Sequence, residues 1–221
     1  KKRAGSAEEA LYREIRTIQH EYKREWLYNT TVGAGLPLNY AINDLRGSGD
    51  EIRSISGIFS GTMSWLFENF TDGVKFSDLV LEAKKRGYSE PDPREDLSCQ
   101  DLVRKLLILA REIGLKLDWE DISVSSLVPE SLRDISASEF LQRAHELDEP
   151  MDTMLKEAAK DGNVPRLLAS FSVSEEGRVS AKIGVEYIPA GDMLANLIPG
   201  ENIFVIYTDW YSEMPLVISG P

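Results

Sequence analysis

Leu167-Leu168-Ala169-Ser170-Phe171-Ser172-Val173-Ser174-Glu175-Glu176-Gly177-Arg178-Val179-Ser180-Ala181-Lys182-Ile183-Gly184-Val185 decides the fold. Apolar side chains recur every second residue, at Leu167, Ala169, Phe171 and Val173 and again at Val179, Ala181, Ile183 and Val185. That period puts one face of each strand on a core, and Glu175-Glu176-Gly177 between them reads as a hairpin turn. Ile203 to Thr208 adds a strand and Leu216 to Ile218 an edge strand, so the C-terminal part is a sheet.

Upstream, the period changes to three and four. Ser6-x-x-Glu9 reads as a capping box for a helix over 8–25, with Leu11, Ile15, Ile18, Tyr22 and Trp26 on one face. Trp26-Leu27-Tyr28 through Thr30, Thr31 and Val32 reads as a strand running into the tight Gly33-Ala34-Gly35-Leu36-Pro37 loop. Pro37 then opens a helix ended by Gly47-Ser48-Gly49, Ile52 to Ile58 is a strand, and Gly61-Thr62 opens a helix carrying Met63, Leu66, Phe67 and Phe70. Ser77 is placed to N-cap the next helix, with Phe76 and Leu81 as a hydrophobic staple and Gly87 as its stop. Ser98-x-x-Asp101 caps an apolar helix through Leu102, Val103, Leu106, Leu107, Leu109 and Ile113, and a further helix covers about 137–161. Helices first and paired strands later give an α+β class, with helices packed on one face of a mixed or antiparallel sheet.

The 221 residues are 42% hydrophobic and 28% charged, enough to bury a core. With 25 Lys and Arg against 37 Asp and Glu, the net charge of -12 disfavours nucleic acid and anionic membrane as partners. One cysteine, Cys99, precludes an internal disulfide, and no apolar run reaches the roughly 20 residues of a membrane span. A cytoplasmic setting is expected. His20, His145 and Cys99 do not assemble a zinc ligand set. The chain starts at Lys1 and stops on a turn signal, so a piece of a longer protein is expected.

Two places carry candidate chemistry. Gly33-Ala34-Gly35 could present amides to an anion or carbonyls to a cation, although Leu38 breaks the third glycine of a dinucleotide fingerprint and tight packing alone also explains it. Tyr88-Ser89-Glu90-Pro91-Asp92-Pro93-Arg94-Glu95-Asp96 holds four carboxylates and two prolines, which calls for a stiff acidic loop. Directly after it, Asp101 and Lys105 stand one helical turn apart, about 40° around the axis. A lysine facing carboxylates there is a candidate proton-transfer centre. The plainer alternative is an ordinary polar stripe in which Asp101 closes the cap and Glu90 and Asp96 are solvated. Cys99 reads as packing rather than a nucleophile.

Ala83-x-x-x-Gly87-Tyr88-Ser89-Glu90-Pro91-Asp92-Pro93-x-x-Asp96-Leu97-x-x-x-Asp101-x-x-x-Lys105 resembles the signature of homoserine dehydrogenases. Thr31-Val32-Gly33-Ala34-Gly35-Leu36-Pro37, Ser56-Gly57-Ile58-Phe59-Ser60-Gly61-Thr62 and Pro215-Leu216-Val217-Ile218-x-Gly220-Pro221 are similar to that family's strings in its order. The resemblance is nearest to the dehydrogenase part of bifunctional aspartokinase/homoserine dehydrogenases, the methionine-branch form in particular.

The resemblance implies an enzyme interconverting L-aspartate 4-semialdehyde and L-homoserine with NADP or NAD. It makes Lys105 the proton donor and acceptor with Asp101 beside it, and Glu90, Asp96, Thr62, Tyr88 and Gly61 the substrate-binding set. Carbonyls of Val32, Ala34 and Leu36 would hold sodium or potassium, with Asn29 where the family has a carboxylate. Lys1 or Lys2 ends the family's Asn-Lys-Lys motif, whose lysine meets cofactor or substrate, and Lys1 is the favoured position. Cys99 stands where the family usually has glycine. Residues 1–35 would be the tail of a nucleotide-binding Rossmann domain largely absent from this chain, and 36–221 the substrate and dimerisation domain of a homodimer. The isolated fragment is then expected to be inactive. The competing reading is a non-catalytic oligomerisation or regulatory module of a larger enzyme.

Overall fold

The period-two stretches pair with each other. In the computed structural model, which describes residues 2–221, β3 (Asn163–Val173) and β4 (Val179–Pro189) run antiparallel from Asn163 opposite Pro189 to Val173 opposite Val179. Their turn is closed by the Ser174 amide donating to Arg178 O at 2.9 Å, with Gly177 at φ +76°. β1 (Ile52–Ile58), β5 (Asn202–Thr208) and β6 (Leu216–Gly220) extend the antiparallel set, and the short β2 (Ile122–Val124) joins β4 in parallel. The sheet order is β2-β4-β3-β1-β5-β6. β2 was not expected, because three residues among polar neighbours show no period.

The helices are α1 (Lys2–Gly5), α2 (Glu9–Glu21), α3 (Leu38–Gly47), α4 (Gly61–Asn69), α5 (Phe76–Arg86), α6 (Arg94–Leu97), α7 (Gln100–Glu112), α8 (Ala137–Arg143) and α9 (Asp148–Lys160). α7 is at the centre. Its Leu106 and Leu109 are fully buried in a core shared with Leu167, Ala169 and Phe171 of β3 and Phe204 and Ile206 of β5. The alternate residues Leu168, Ile203 and Val205 point to the opposite face and meet Ala195 and Leu197 of the 190–200 loop. The expected α+β architecture, with helices against one face of a mixed sheet, is therefore present.

Several local expectations are corrected. No strand forms over 26–32. Tyr28 O instead accepts both the amide and the hydroxyl of Thr31, at 3.0 and 2.7 Å, closing a 3-10 turn. β-favouring residues with no neighbouring strand to pair with take the local hydrogen bonds. The Ser6 box is not made, since Ser6 Oγ turns back to Lys2 O and the Glu9 amide is capped by Asp118 Oδ1 at 3.0 Å. Ser77 lies inside α5 rather than at its cap, its amide and hydroxyl bonded to the Asp148 carboxylate. Leu81 is exposed while Phe76 is buried, so the staple is absent. The helix expected over 137–161 is interrupted at Ala144–Leu147, a 3-10 turn. Pro150 explains this, because it has no amide to donate to the carbonyl of Glu146 four residues back. Gly87 ends α5 as expected, at φ +74°.

Candidate active site

In the acidic loop, Asp92, Arg94 and Asp96 are tied down by hydrogen bonds. Arg94 grips Asp92 through Nη2 at 2.6 Å and reaches the carbonyls of Leu132, Arg133 and Ile135. Lys84 holds Pro91 O, and Asp96 Oδ2 accepts the Glu90 amide at 2.8 Å. The loop is not wholly irregular, since Arg94–Leu97 makes the single turn α6. The Thr62 hydroxyl, at the start of α4, donates to Tyr88 O at 2.7 Å, and the Tyr88 ring sits edge-on to Trp65 at 5.5 Å. Gly61 is required there, because a Cβ would lie 2.7 Å from Gly200 O.

α7 enters this region without the expected cap. Ser98 Oγ turns to Glu95 O, and Cys99, at φ +64°, is the N-cap residue with no side-chain bond to the helix. Asp101 is thereby free to pair. Its Oδ2 lies 3.2 Å from Lys105 Nζ and its Oδ1 accepts from Lys2 Nζ at 2.5 Å. Lys105 also donates to Phe59 O at 2.6 Å, at the end of β1. Phe59 stacks on Phe204 at 4.6 Å, so the core fixes the carbonyl that fixes the lysine. Lys1 lies outside the described residues. The sequence does not single out Phe59, because a backbone carbonyl leaves no residue-type signal.

The electrostatics follow from this packing. Burial lowers the Lys105 pKa against the pull of Asp101. Burial also acts on Asp101, but Lys105 and Lys2 outweigh it and hold its carboxyl below the usual range. Asp96 is pushed up to about 6 by burial, with Glu90 and Asp101 adding repulsion and the Glu90 amide opposing. Cys99 is buried and its thiol is pushed up to about 12, which removes it as a nucleophile at neutral pH. A cavity of about 460 Å³ opens among Lys2, Arg3, Glu90, Glu95, Asp96, Gln100, Asp101 and Arg104. The geometry thus unites Glu90, Asp96 and Asp101 around one cavity and ties Lys105 to its wall.

The homoserine dehydrogenase family model matches residues 37–221. The chain belongs to the homoserine dehydrogenase family. It is 46% identical to bifunctional aspartokinase/homoserine dehydrogenase 2 of Escherichia coli over 220 residues, covering 100% of this chain and 27% of that protein. It is 40% identical to homoserine dehydrogenase of Paracoccidioides brasiliensis over 203 residues, which is 87% of this chain and 54% of that one. A Candida auris protein of unknown function superposes with a TM-score of 0.90 at 32% identity, covering 99% of this chain and 62% of that chain. The chain therefore spans about a quarter of its bifunctional relative.

Of the two small molecules expected from the resemblance, the cation would meet the turn over Gly33–Leu36 and the nicotinamide cofactor the cavity. The Gly33–Leu36 turn is closed by the Leu36 amide on Gly33 O at 2.8 Å, with Gly33 and Ala34 at φ +74° and +49°. Asn29 Nδ2 donates to Leu36 O, and Asn29 Oδ1 is buried with no partner. An orphaned amide oxygen beside turn carbonyls is the donor chemistry a hard monovalent cation takes, so Val32, Ala34, Leu36 and Asn29 fit one. Among the described residues no three His, Cys, Asp or Glu side chains group to hold a metal. For the nicotinamide cofactor, Lys2 at the cavity edge offers a cation beside the Asp101–Lys105 pair. No helix among the described residues is long and apolar enough to cross a membrane.

Proposed function

We propose that the protein containing this chain is a homoserine dehydrogenase that interconverts L-aspartate 4-semialdehyde and L-homoserine, in threonine and methionine biosynthesis, with NADPH or NADH. The observation that carries this reading is Lys105, desolvated and anchored on both Phe59 O and Asp101, beside a carboxylate-lined cavity. An ammonium has three N–H donors, and the two anchors leave one to meet a substrate oxygen.

The nicotinamide, when bound, supplies or accepts the hydride. Lys105 gives its proton to the oxygen of the aldehyde as the carbon is reduced, and takes it back from the homoserine hydroxyl in the reverse direction. Its charge also stabilises the developing alkoxide, and Asp101 keeps the ammonium form populated against the cost of burial. Glu90 and Asp96 pair with the substrate ammonium, and Thr62, Tyr88 and Gly61, outside the cavity lining but joined to its loop by the Thr62–Tyr88 O bond, take the other end of the substrate. Val32, Ala34, Leu36 and Asn29 would hold sodium or potassium. The turn they form packs on Phe204, the ring that supports Phe59, so a bound cation would stiffen the mount of Lys105.

Residues 1–35 serve as the tail of a nucleotide-binding domain and 36–221 as the substrate and dimerisation domain of a cytoplasmic homodimer, within a longer chain that also carries an aspartokinase. The half-exposed apolar stripe of α2 supports the first assignment, since it has no cover among the described residues. Exposed Tyr207 and Val217, on the sheet face away from the helices, support the second.

The test uses the full-length protein. NADPH oxidation driven by aspartate semialdehyde should be robust in the wild type and lost in Lys105→Ala at unchanged melting temperature. Equal activity in the two proteins would overturn the assignment and favour the structural module.

A further inference from the structure

Arg104 is a cation of this cavity that the reaction above leaves unused and, unlike the exposed Arg3, it is half-buried and held in place. Its neighbours on α7 are committed: Asp101 to Lys2 and Lys105, and Arg111 to Asp118 and the carbonyls of Gly5, Ala7 and Leu117. Most arginines here are likewise paired, Arg94 with Asp92, Arg166 with Glu68 and Arg53 with Asp209 among them. Arg104 makes no hydrogen bond or ion pair among the described residues, although four carboxylates line the same cavity. It is nonetheless held. Its guanidinium lies over the Trp119 ring, 5.4 Å from the centroid. Stacking fixes the plane and leaves the N–H edge free.

The perch itself is built. Trp119 opens a 3-10 turn locked by Asp118 and Asp121, whose carboxylates cap each other's peptide amides. Asp118 Oδ1 also takes Arg111 Nη2 at 2.7 Å and the Glu9 amide at 3.0 Å. The buried Arg111 therefore fixes the turn that carries the ring on which Arg104 lies.

Resting on the assigned dehydrogenase reaction, we propose that Arg104 binds an anionic oxygen group, carboxylate or phosphate, of the ligand seated against Lys105. A substrate amino acid is a zwitterion, and the cavity supplies carboxylates for its ammonium. A dinucleotide whose nicotinamide is seated against Lys105 would carry phosphates in the same molecule. Both present oxygen pairs that match the guanidinium fork. Arg104 is thus a ligand-positioning residue, and Trp119 positions it in turn.

The full-length protein is compared with Arg104→Gln, Arg104→Lys and Trp119→Leu. Homoserine and NADP are titrated into each by calorimetry, alongside steady-state kinetics and melting. Loss of one charge-assisted hydrogen-bonding partner should weaken one ligand about tenfold or more. Weakened homoserine with unchanged NADP assigns the carboxylate, and the reverse assigns the phosphate. Lysine should recover only part of the loss, because it lacks the fork, and Trp119→Leu should move the same constant by severalfold. Both constants unchanged within twofold in Arg104→Gln, with or without a lower melting temperature, would overturn the proposal. A wild type that turns over while Arg104→Gln binds normally sinks this inference alone. A wild type without turnover sinks the reaction itself, and the calorimetry still tests Arg104.

Discussion

α2 and α7 are both thirteen residues long and both amphipathic, yet α7 buries nine of its residues and α2 none. In α2, Leu11 and Ile18 remain 49% and 48% exposed, whereas Leu106 and Leu109 of α7 are at 0%. The pattern of apolar residues establishes that each is a helix. It does not say whether the apolar face has a partner within the same chain. Where the partner is present, as for α7 under the sheet, the polar face is also organised by the packing, and that is where the proposed chemistry sits.

The largest effect separates the two polar faces. Lys105→Ala on α7 should lower turnover of the full-length protein roughly 10²–10⁴-fold, the size of a general acid–base contribution. Arg13→Ala on α2, which breaks the exposed Arg13–Glu9 pair, should leave turnover unchanged. A comparable loss in both would erase the distinction between the helices.

The apolar faces differ next. Leu106→Ala should destabilise the folded chain by about 2–5 kcal/mol, as a fully buried truncation does. Ile18→Ala should cost well under about 1 kcal/mol when α2 is uncovered. Denaturant melts of this chain would show the contrast. In the full-length protein the cost at Ile18 should rise toward the α7 value if another part of the protein covers α2, and an unchanged cost would remove residues 1–35 from a domain interface.

How much of this was legible in the sequence depends on the kind of interaction. Period-two strands, the glycine stops and the Asp101–Lys105 pair depend on spacing, and spacing is visible. The caps expected at Ser6 and Ser98 rest on an acid three residues on, and the one at Ser77 on its place before an apolar run, patterns that look alike whether or not the serine caps. Distant acids take the first and the last of these amides, Asp118 that of Glu9 and Asp148 that of Ser77, while α7 starts at Cys99 with no side-chain cap. Phe59 O and the Trp119 perch leave no signal in the sequence, one being backbone and the other fifteen residues from the arginine it carries. The resemblance to homoserine dehydrogenases implies Glu90, Asp96 and Asp101 in one site, and the structure brings these three to one cavity, but it does not imply that Arg94 holds their loop.

A pH experiment sharpens the account of the entrance to α7. Asp96 has its pKa raised to about 6 in the folded protein, above the ordinary carboxylate value near 3.8. Between those two values the folded state binds more proton than the unfolded state, so Asp96 makes stability decline as pH rises through about 4 to 6. Asp101 is shifted downward and acts in the opposite sense, its contribution being lost as pH falls through the acid range. Asp96→Asn should flatten the decline between pH 4 and 6, read from melting temperatures, while Asp101→Asn should not. A decline that survives Asp96→Asn would mean that the Glu90 amide and solvent keep Asp96 an ordinary acid.

The smallest effect is at Cys99, the left-handed N-cap residue of α7, where the resemblance leads one to expect glycine. A non-glycine residue at φ +64° costs about 1–2 kcal/mol, so glycine would relieve strain. Against that, the buried thiol would be lost, with its sulfur 3.7 Å from Leu97 O and 3.9 Å from Ser125 O, and the unfolded chain would gain freedom. Removing that packing costs about 1 kcal/mol and the added freedom about 0.5–1 kcal/mol, so the terms nearly cancel. Cys99→Gly should therefore lie within about 1 kcal/mol of the parent, whereas Cys99→Ala keeps the strain, loses the sulfur contacts and should be the less stable of the two. Alanine proving more stable than glycine would show that flexibility at this joint, rather than its left-handed turn, sets how firmly the loop delivers α7 to the site.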